Sequence, residues 1–311
     1  MINKKSKIYI AGHKGMVGSS LLRLFQKNGY SNLLTRTKKQ LNLLDQSKTY
    51  AYLNKQKPEA VIIAAAKVGG IHANNKFRAD FIYQNLQIQN NLIHGSYLAG
   101  VKKLIFLGSS CIYPRDCKQP IKEEYLLTGP LEQTNEPYAL AKIAGIKMIE
   151  NYNRQYKLNY LCLMPCNLYG PNDNYDLNTS HFLPGLIRKI HNAKLKKSKE
   201  VVVWGDGKPK RELMHVDDVA KACLFFFKNK PSSPIINIGS GEEDRIKSFA
   251  KKICEIIGYR GNIIYNNKMP NGTPRKILDC SIANRHGWKP TILFDEGLKS
   301  TYSNFKRLNY K

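Results

Sequence analysis

Leu107-Gly108-Ser109-Ser110-Cys111-Ile112-Tyr113-Pro114 is followed, after a loop, by Glu136-Pro137-Tyr138-Ala139-Leu140-Ala141-Lys142. The run before it, Leu104 to Leu107, is short, continuous, apolar and closed by a glycine. That is the pattern of a strand buried on both faces of a parallel sheet. Ser109, Ser110 and Cys111 therefore stand just past the carboxyl end of a strand, where open α/β sheets place their ligands. From Pro137 the pattern turns helical, and proline suits a first helical turn. Tyr138 and Lys142 then share one helix face. A phenol with a reference pKa of about 10 works poorly as an acid–base group at neutrality. A cation beside it lowers that pKa, and Lys142 is placed to supply one. The Ser109 hydroxyl would hold a substrate oxygen against the phenol. Such a set interconverts an alcohol and a ketone. Tyr302 and Lys306 repeat the four-residue spacing and read as a solvated helix face.

Working outward, Lys7-Ile8-Tyr9-Ile10-Ala11 reads as a first strand, and the helical pattern resumes at Ser19. Between them lies Gly12-His13-Lys14-Gly15-Met16-Val17-Gly18, a G-x-x-G-x-x-G loop. Glycines there let backbone approach a pyrophosphate at a helix N-terminus. The second strand is expected near Asn32 to Arg36. At its end stand Arg36, Thr37, Lys38 and Lys39, where an NAD site would carry an acid. With Lys14 in the loop, these suit a 2′-phosphate and point to NADP(H). Asn42 to Asp45 would line the adenine. Ala60 to Ala66 is a third buried strand, Asp80 to Ala99 a long helix, and Leu161 to Pro165 a further strand leading to Cys166-Asn167-Leu168. Alternating strands and helices give an α/β doubly wound parallel sheet, a Rossmann fold.

After Pro171 the character changes. A polar stretch leads to a helix from His181, a strand Glu200 to Gly205, the run Lys210 to Val219, a strand at Ile235 and a helix from Ser248. No linker separates these parts. Residues 1–170 with about 213–245 are expected to form the NADP-binding part. Residues 171–212 with about 246–311 are expected to form a smaller α/β substrate lobe that exchanges segments with it.

The chain has 311 residues and a formal net charge of +27. The lysines are spread along it, without a polybasic tail or a nucleic-acid-binding motif, so they read as a solvated basic surface. No apolar run has transmembrane length, and the basic start leads into a short strand instead of a signal-peptide core. Seven cysteines at scattered spacings indicate reduced thiols and a cytoplasmic setting. No zinc spacing appears, and no metal is expected. Neither a nucleic acid nor a membrane is an expected partner.

The glycine loop, the serine after the central strand and Tyr138-x-x-x-Lys142 resemble the extended short-chain dehydrogenase/reductases. Five stretches are similar to the GDP-L-fucose synthase family within them: Ala64–Ile71, Leu107–Pro114, Asn135–Lys147, Asn167–Pro171 and Gly272–Lys276. The resemblance implies NADPH-dependent epimerisation at C3 and C5 of GDP-4-keto-6-deoxy-D-mannose, then reduction at C4 to GDP-L-fucose. It carries Ser109, Tyr138 and Lys142 over as the reductase triad, and Cys111 and His181 as the epimerising pair. It implies cofactor contacts at Gly12 to Gly18, Arg36, Lys38, Leu107 to Ser110, Lys142, Pro165 to Leu168 and His181. Lys189, Trp204, Arg211 and Asn271 fall on GDP-sugar contacts. Lys14, Lys38 and Lys189 stand where the family usually has Arg, Asn271 where it has Asp, and Cys166 where it has Thr. The resemblance also implies a homodimer through the helices at 80–99 and 138–157. Two rivals stay open: another GDP-keto-sugar epimerase/reductase of the same fold, and a non-catalytic NADP-sensing or nucleic-acid-binding protein. A 4,6-dehydratase would carry Asp-Glu where Ser110-Cys111 stand, and a 4-epimerase an acid after the second strand.

Overall fold

Buried strands alternate with amphipathic helices from the first strand onward, and the described residues are 2–229, 231, 233–269 and 271–308. Positions 1, 230, 232, 270 and 309–311 of the expected segments lie outside them. In chain order the elements are β1 (Ile8–Ala11), α1 (Met16–Lys27), β2 (Leu33–Leu34), α2 (Gln46–Gln56), β3 (Ala60–Ile63), α3 (Ile71–Lys76), α4 (Arg78–Leu98) and β4 (Lys103–Leu107). Then come α5 (Glu136–Tyr156), β5 (Leu161–Pro165), β6 (Asn167–Tyr169), α6 (Phe182–Leu195), β7 (Glu200–Trp204), β8 (Lys210–His215) and α7 (Val216–Lys228). The rest are β9 (Ile235–Ile238), β10 (Glu243–Arg245), α8 (Ile246–Ile257), β11 (Asn262–Asn266), β12 (Arg275–Lys276), α9 (Ser281–Arg285) and α10 (Phe294–Arg307).

Six strands form one parallel sheet in the order β2-β1-β3-β4-β5-β9. Chain order reverses between β1 and β3, which opens the crevice where such sheets bind ligands. The fold is Rossmann-like. β2 is shorter than expected, because Thr37 turns the chain away: its N–H donates to Gln40 Oε1 at 2.9 Å. Pro137 sits in the first turn of α5, as its fixed φ favours.

The main hydrophobic cluster covers this sheet and its helices, including Phe25, Phe106, Ile146 and Phe227. A second gathers α6, α8 and α10 around Ile187, Phe249, Ile253 and Phe305. β7 and β11 pair in parallel beside it. β8 joins the two regions: Leu213 to His215 pair with β6, while Lys210 to Glu212 pair with β10. Its successive side chains point to opposite faces, so Leu213 enters the second cluster and Met214 the first. Leu278, Ala283 and Trp288 return to the first cluster.

The Tyr302–Lys306 pair is not a solvated face. Tyr302 is only 9 % exposed, lies in the second cluster and shares a 2.9 Å hydrogen bond with His191 Nδ1. Burial of α10 against α6 and α8 takes precedence over the polar look of the local sequence.

Candidate functional site

The glycine loop fills the crevice between β1 and β3. Gly12 has φ +87°, which favours glycine, and a Cβ there would stand 2.7 Å from the Ala65 nitrogen. A Cβ on Gly18 would stand 2.1 Å from the Gly12 carbonyl oxygen. Gly15 caps α1 without a side-chain hydrogen bond, so the N–H groups of Met16, Val17 and Gly18 head the helix toward the crevice. Buried His13 Nδ1 has no protein partner. A cradle that close-packed backbone keeps free of side chains, with a helix N-terminus behind it, fits a dinucleotide pyrophosphate. Lys14 and Lys38 are exposed, while half-buried Arg36 lies over the Tyr52 ring at 5.1 Å. Asp45, expected near the adenine, caps α2 by accepting the Lys48 N–H at 2.9 Å.

β4 and β5 are neighbours, so Leu107 to Ser110 and Pro165 to Leu168 emerge side by side. The Gly108 N–H donates to the Leu163 carbonyl at 2.9 Å. Ser109 then caps a single 3-10 turn, and its Oγ lies 2.8 Å from Cys111 Sγ. The same hydroxyl stands beside the Tyr138 phenol at the start of α5 and lowers its pKa. One serine thus joins the thiol and the phenol.

One turn along α5, Lys142 is 4 % exposed and donates from Nζ to the Leu107 carbonyl at 2.8 Å. Its ammonium lies 4.5 Å from the Phe106 ring centre and 5.7 Å from that of Tyr138. Burial pulls its pKa down to about 8, with Cys111 and Cys162 opposing. The phenol departs from the sequence expectation. Burial and then the Cys111 charge raise its pKa, and only the Ser109 hydroxyl lowers it. With the raising causes larger, Tyr138 is kept as an acid. Nearby Cys166 is buried, and burial raises its thiol pKa strongly, with Glu212 and Cys280 adding.

His181 comes from the far side. Asn85 pins the loop after β3 by hydrogen bonds to both Lys67 backbone groups at 2.9 Å. A Cβ on Gly70 would stand 2.1 Å from the Ser180 carbonyl oxygen. This close approach sets the segment leading to His181 against the loop. His181 stands at the N-cap of α6 with part of its surface open to solvent. The protein walls around it, and then the Lys276 cation, lower its pKa and keep it neutral at pH 7. Lys276 is a residue for which the sequence suggested no role. It lines a recess with Cys111, Ser110, Glu132, Asn135 and Thr273. Burial lowers its pKa, Cys111 raises it and Arg211 lowers it.

The four expected sugar-nucleotide residues fall in two neighbouring groups. Lys189 Nζ lies 5.4 Å from the Trp204 ring centre, and the indole is 45 % exposed. Asn271 Oδ1 accepts the Asp206 N–H at 2.9 Å, two residues beyond that indole. Arg211 is buried, and burial pulls its pKa down to about 10 against the opposing charge of Glu132. Its guanidinium reaches Gly272, next to Asn271. An exposed aromatic face beside cations suits a nucleotide base and its phosphates.

The sequence profile of the NAD dependent epimerase/dehydratase family matches residues 8–239. The chain belongs to the NAD dependent epimerase/dehydratase family. It is 51 % identical to Putative GDP-L-fucose synthase 2 of Arabidopsis thaliana over 97 % of this chain and 92 % of that protein. It is 46 % identical to GDP-L-fucose synthase of Escherichia coli K12, over 97 % of each chain. Among solved structures, GDP-mannoheptose C4 reductase of Campylobacter jejuni with NADP bound matches with TM-score 0.91 and 40 % identity, covering 98 % of this chain and 100 % of that one. As an epimerase/dehydratase family member, the chain is an oxidoreductase-type enzyme that works with a nicotinamide dinucleotide.

Proposed function

We propose that this enzyme epimerises C3 and C5 of GDP-4-keto-6-deoxy-D-mannose and reduces C4 with NADPH, giving GDP-L-fucose. The observation that carries the reading is the Ser109 hydroxyl, 2.8 Å from the Cys111 thiol and beside the Tyr138 phenol, whose pKa it lowers. A ketone oxygen held by Ser109 and Tyr138 acidifies the hydrogens on both neighbouring carbons. Cys111 and His181 exchange those protons, one removing and the other returning on the opposite face; neutral His181 can accept one. The bound dinucleotide supplies a hydride. Tyr138 gives its phenolic proton to the C4 oxygen, and Lys142 orders the Leu107 carbonyl beside the site.

NADPH is the proposed cofactor, supported by Arg36, Lys38 and Lys14 and by the NADP-bound neighbour. Residues 1–170 with 213–245 are the proposed dinucleotide part, and 171–212 with 246–311 the proposed GDP-sugar part; the two hydrophobic clusters support this division. The protein is proposed to form a homodimer through α4 and α5, which expose Tyr83 (61 %), Leu98 and Leu140. A monomer mass by light scattering at micromolar concentration overturns that. Seven free thiols support a cytoplasmic setting, and no described helix is long and apolar enough to cross a membrane. The heptose reductase neighbour supports a second reading, C4 reduction of a GDP-heptose. Incubation with NADPH and each GDP-keto-sugar, with NMR of the product, separates the two. NADPH oxidation without inversion at C3 and C5 overturns the fucose reading.

A further inference from the structure

Two residues lining the recess beside Cys111 carry a buried oxygen that accepts no hydrogen bond from the described residues. Asn135 occupies the N-cap of α5, where an asparagine ordinarily accepts an N–H of the first turn. Its side chain makes no such bond, and its Oδ1 is buried without a partner. Glu132 Oε2 is buried and takes no hydrogen bond from the described residues. It ion-pairs with Arg115 Nε at 3.5 Å without a hydrogen bond, while Oε1 is engaged by Thr134. Leaving buried acceptors unmet is costly, so such groups point to a missing donor. The segment is not loose. Arg78 donates to the Gln133 carbonyl at 2.8 Å and ion-pairs with Glu136.

The recess has a volume of about 10 Å³, room for one hydroxyl-sized group. Arg115, Arg275 and Lys276 also line it. The sign of the orphaned atoms agrees: a carboxylate and an amide oxygen attract an O–H and repel an anion. Of the two carbons next to the C4 ketone, C5 of a 6-deoxy sugar bears a methyl group. Only C3 bears a hydroxyl. We propose that Glu132 and Asn135 hold the C3 hydroxyl of the sugar beside Cys111, making the site selective for 3-hydroxylated over 3-deoxy keto-sugars. The proposal rests on the keto-sugar reaction above.

The test compares kcat/KM for GDP-4-keto-6-deoxy-D-mannose and its 3-deoxy counterpart, followed by NADPH oxidation. The unmodified protein should prefer the hydroxylated substrate by about a hundredfold or more, because the 3-deoxy sugar leaves the acceptors unmet. Asn135→Ala and Glu132→Gln should each lower the hydroxylated value by about 5- to 150-fold. Each should leave the 3-deoxy value within about threefold, so that the preference collapses. Asn135→Asp, which keeps an acceptor oxygen in place, should retain the preference. NADPH affinity, measured by fluorescence titration, reports that each variant is folded. Equal losses on both substrates, or a preference near one in the unmodified protein, overturn the proposal while the reaction stands. No turnover of the hydroxylated substrate overturns both.

Discussion

Tyr138→Phe and Cys111→Ala should separate two chemistries that share one ketone. The Ser109 hydroxyl touches the thiol and lowers the pKa of the phenol, yet each group is assigned a different proton. Loss of a general acid or base costs about a hundredfold to ten-thousandfold, roughly 3–5 kcal/mol of barrier. Tyr138→Phe should therefore slow NADPH oxidation by that factor while C3 and C5 still exchange with deuterated solvent. Cys111→Ala should slow exchange by a similar factor, with NADPH still able to reduce the unepimerised ketone to another product. Ser109→Ala removes the hydroxyl common to both, so both rates should fall. A hydrogen bond to a charged or charging group is worth about 1.5–3 kcal/mol, or about 10- to 150-fold on each. Deuterium incorporation by mass spectrometry and NADPH oxidation, run in parallel, read the two steps. If Tyr138→Phe abolishes exchange as completely as reduction, the phenol also carries the enolate and the separation fails. Normal exchange in Cys111→Ala removes the thiol from the chemistry.

The Lys142 ammonium loses its proton near pH 8, so kcat/KM for reduction should fall as pH rises through about 8; a profile flat to about pH 9.5 refutes this. Its effect on stability has the opposite slope. An unfolded lysine keeps its proton to about 10.4, so between pH 8 and about 10 the unfolded chain binds more protons and this group's contribution rises with pH. Lys38→Asp should narrow or invert a preference for NADPH over NADH measured by fluorescence titration; equal affinities in the unmodified protein contradict the assignment. Glu212 accepts the Gly241 N–H at 2.8 Å and the Leu278 N–H at 3.0 Å, one on each oxygen. Glu212→Gln turns an amide NH₂ toward one of those donors and should cost about 1–3 kcal/mol in urea unfolding; an unchanged midpoint would show that the loops relax.

What the sequence made legible was local. The apolar run Leu104–Leu107, the glycine loop and the Tyr138–Lys142 spacing each sit within one strand, loop or helix, and backbone periodicity transmits them directly. What it hid was long-range. Lys276 meets Cys111 from the far end of the chain, and no spacing rule connects them. Asn135 stands at a helix start, but only the fold shows that its oxygen is buried and takes no capping bond. The direction of the Tyr138 shift is set first by burial and then by Cys111, which only the packed fold brings to the phenol. Tyr302 was misjudged because the polar residues around it say nothing of α6 lying across its face.

β8 gives Leu213 to one hydrophobic cluster and Met214 to the other, and it pairs with strands of both regions. Neither cluster can melt without stripping the shared strand from its partner, so their stabilities are linked. A scanning calorimeter should record one heat-absorption peak for this chain, not two. Dinucleotide at the glycine loop and GDP at the Trp204 face should then each raise the same melting temperature. A strand threaded through both halves also resists a hinge: residues facing one another across the cleft keep their spacing as ligands come and go, and adjustment falls to side chains and loops.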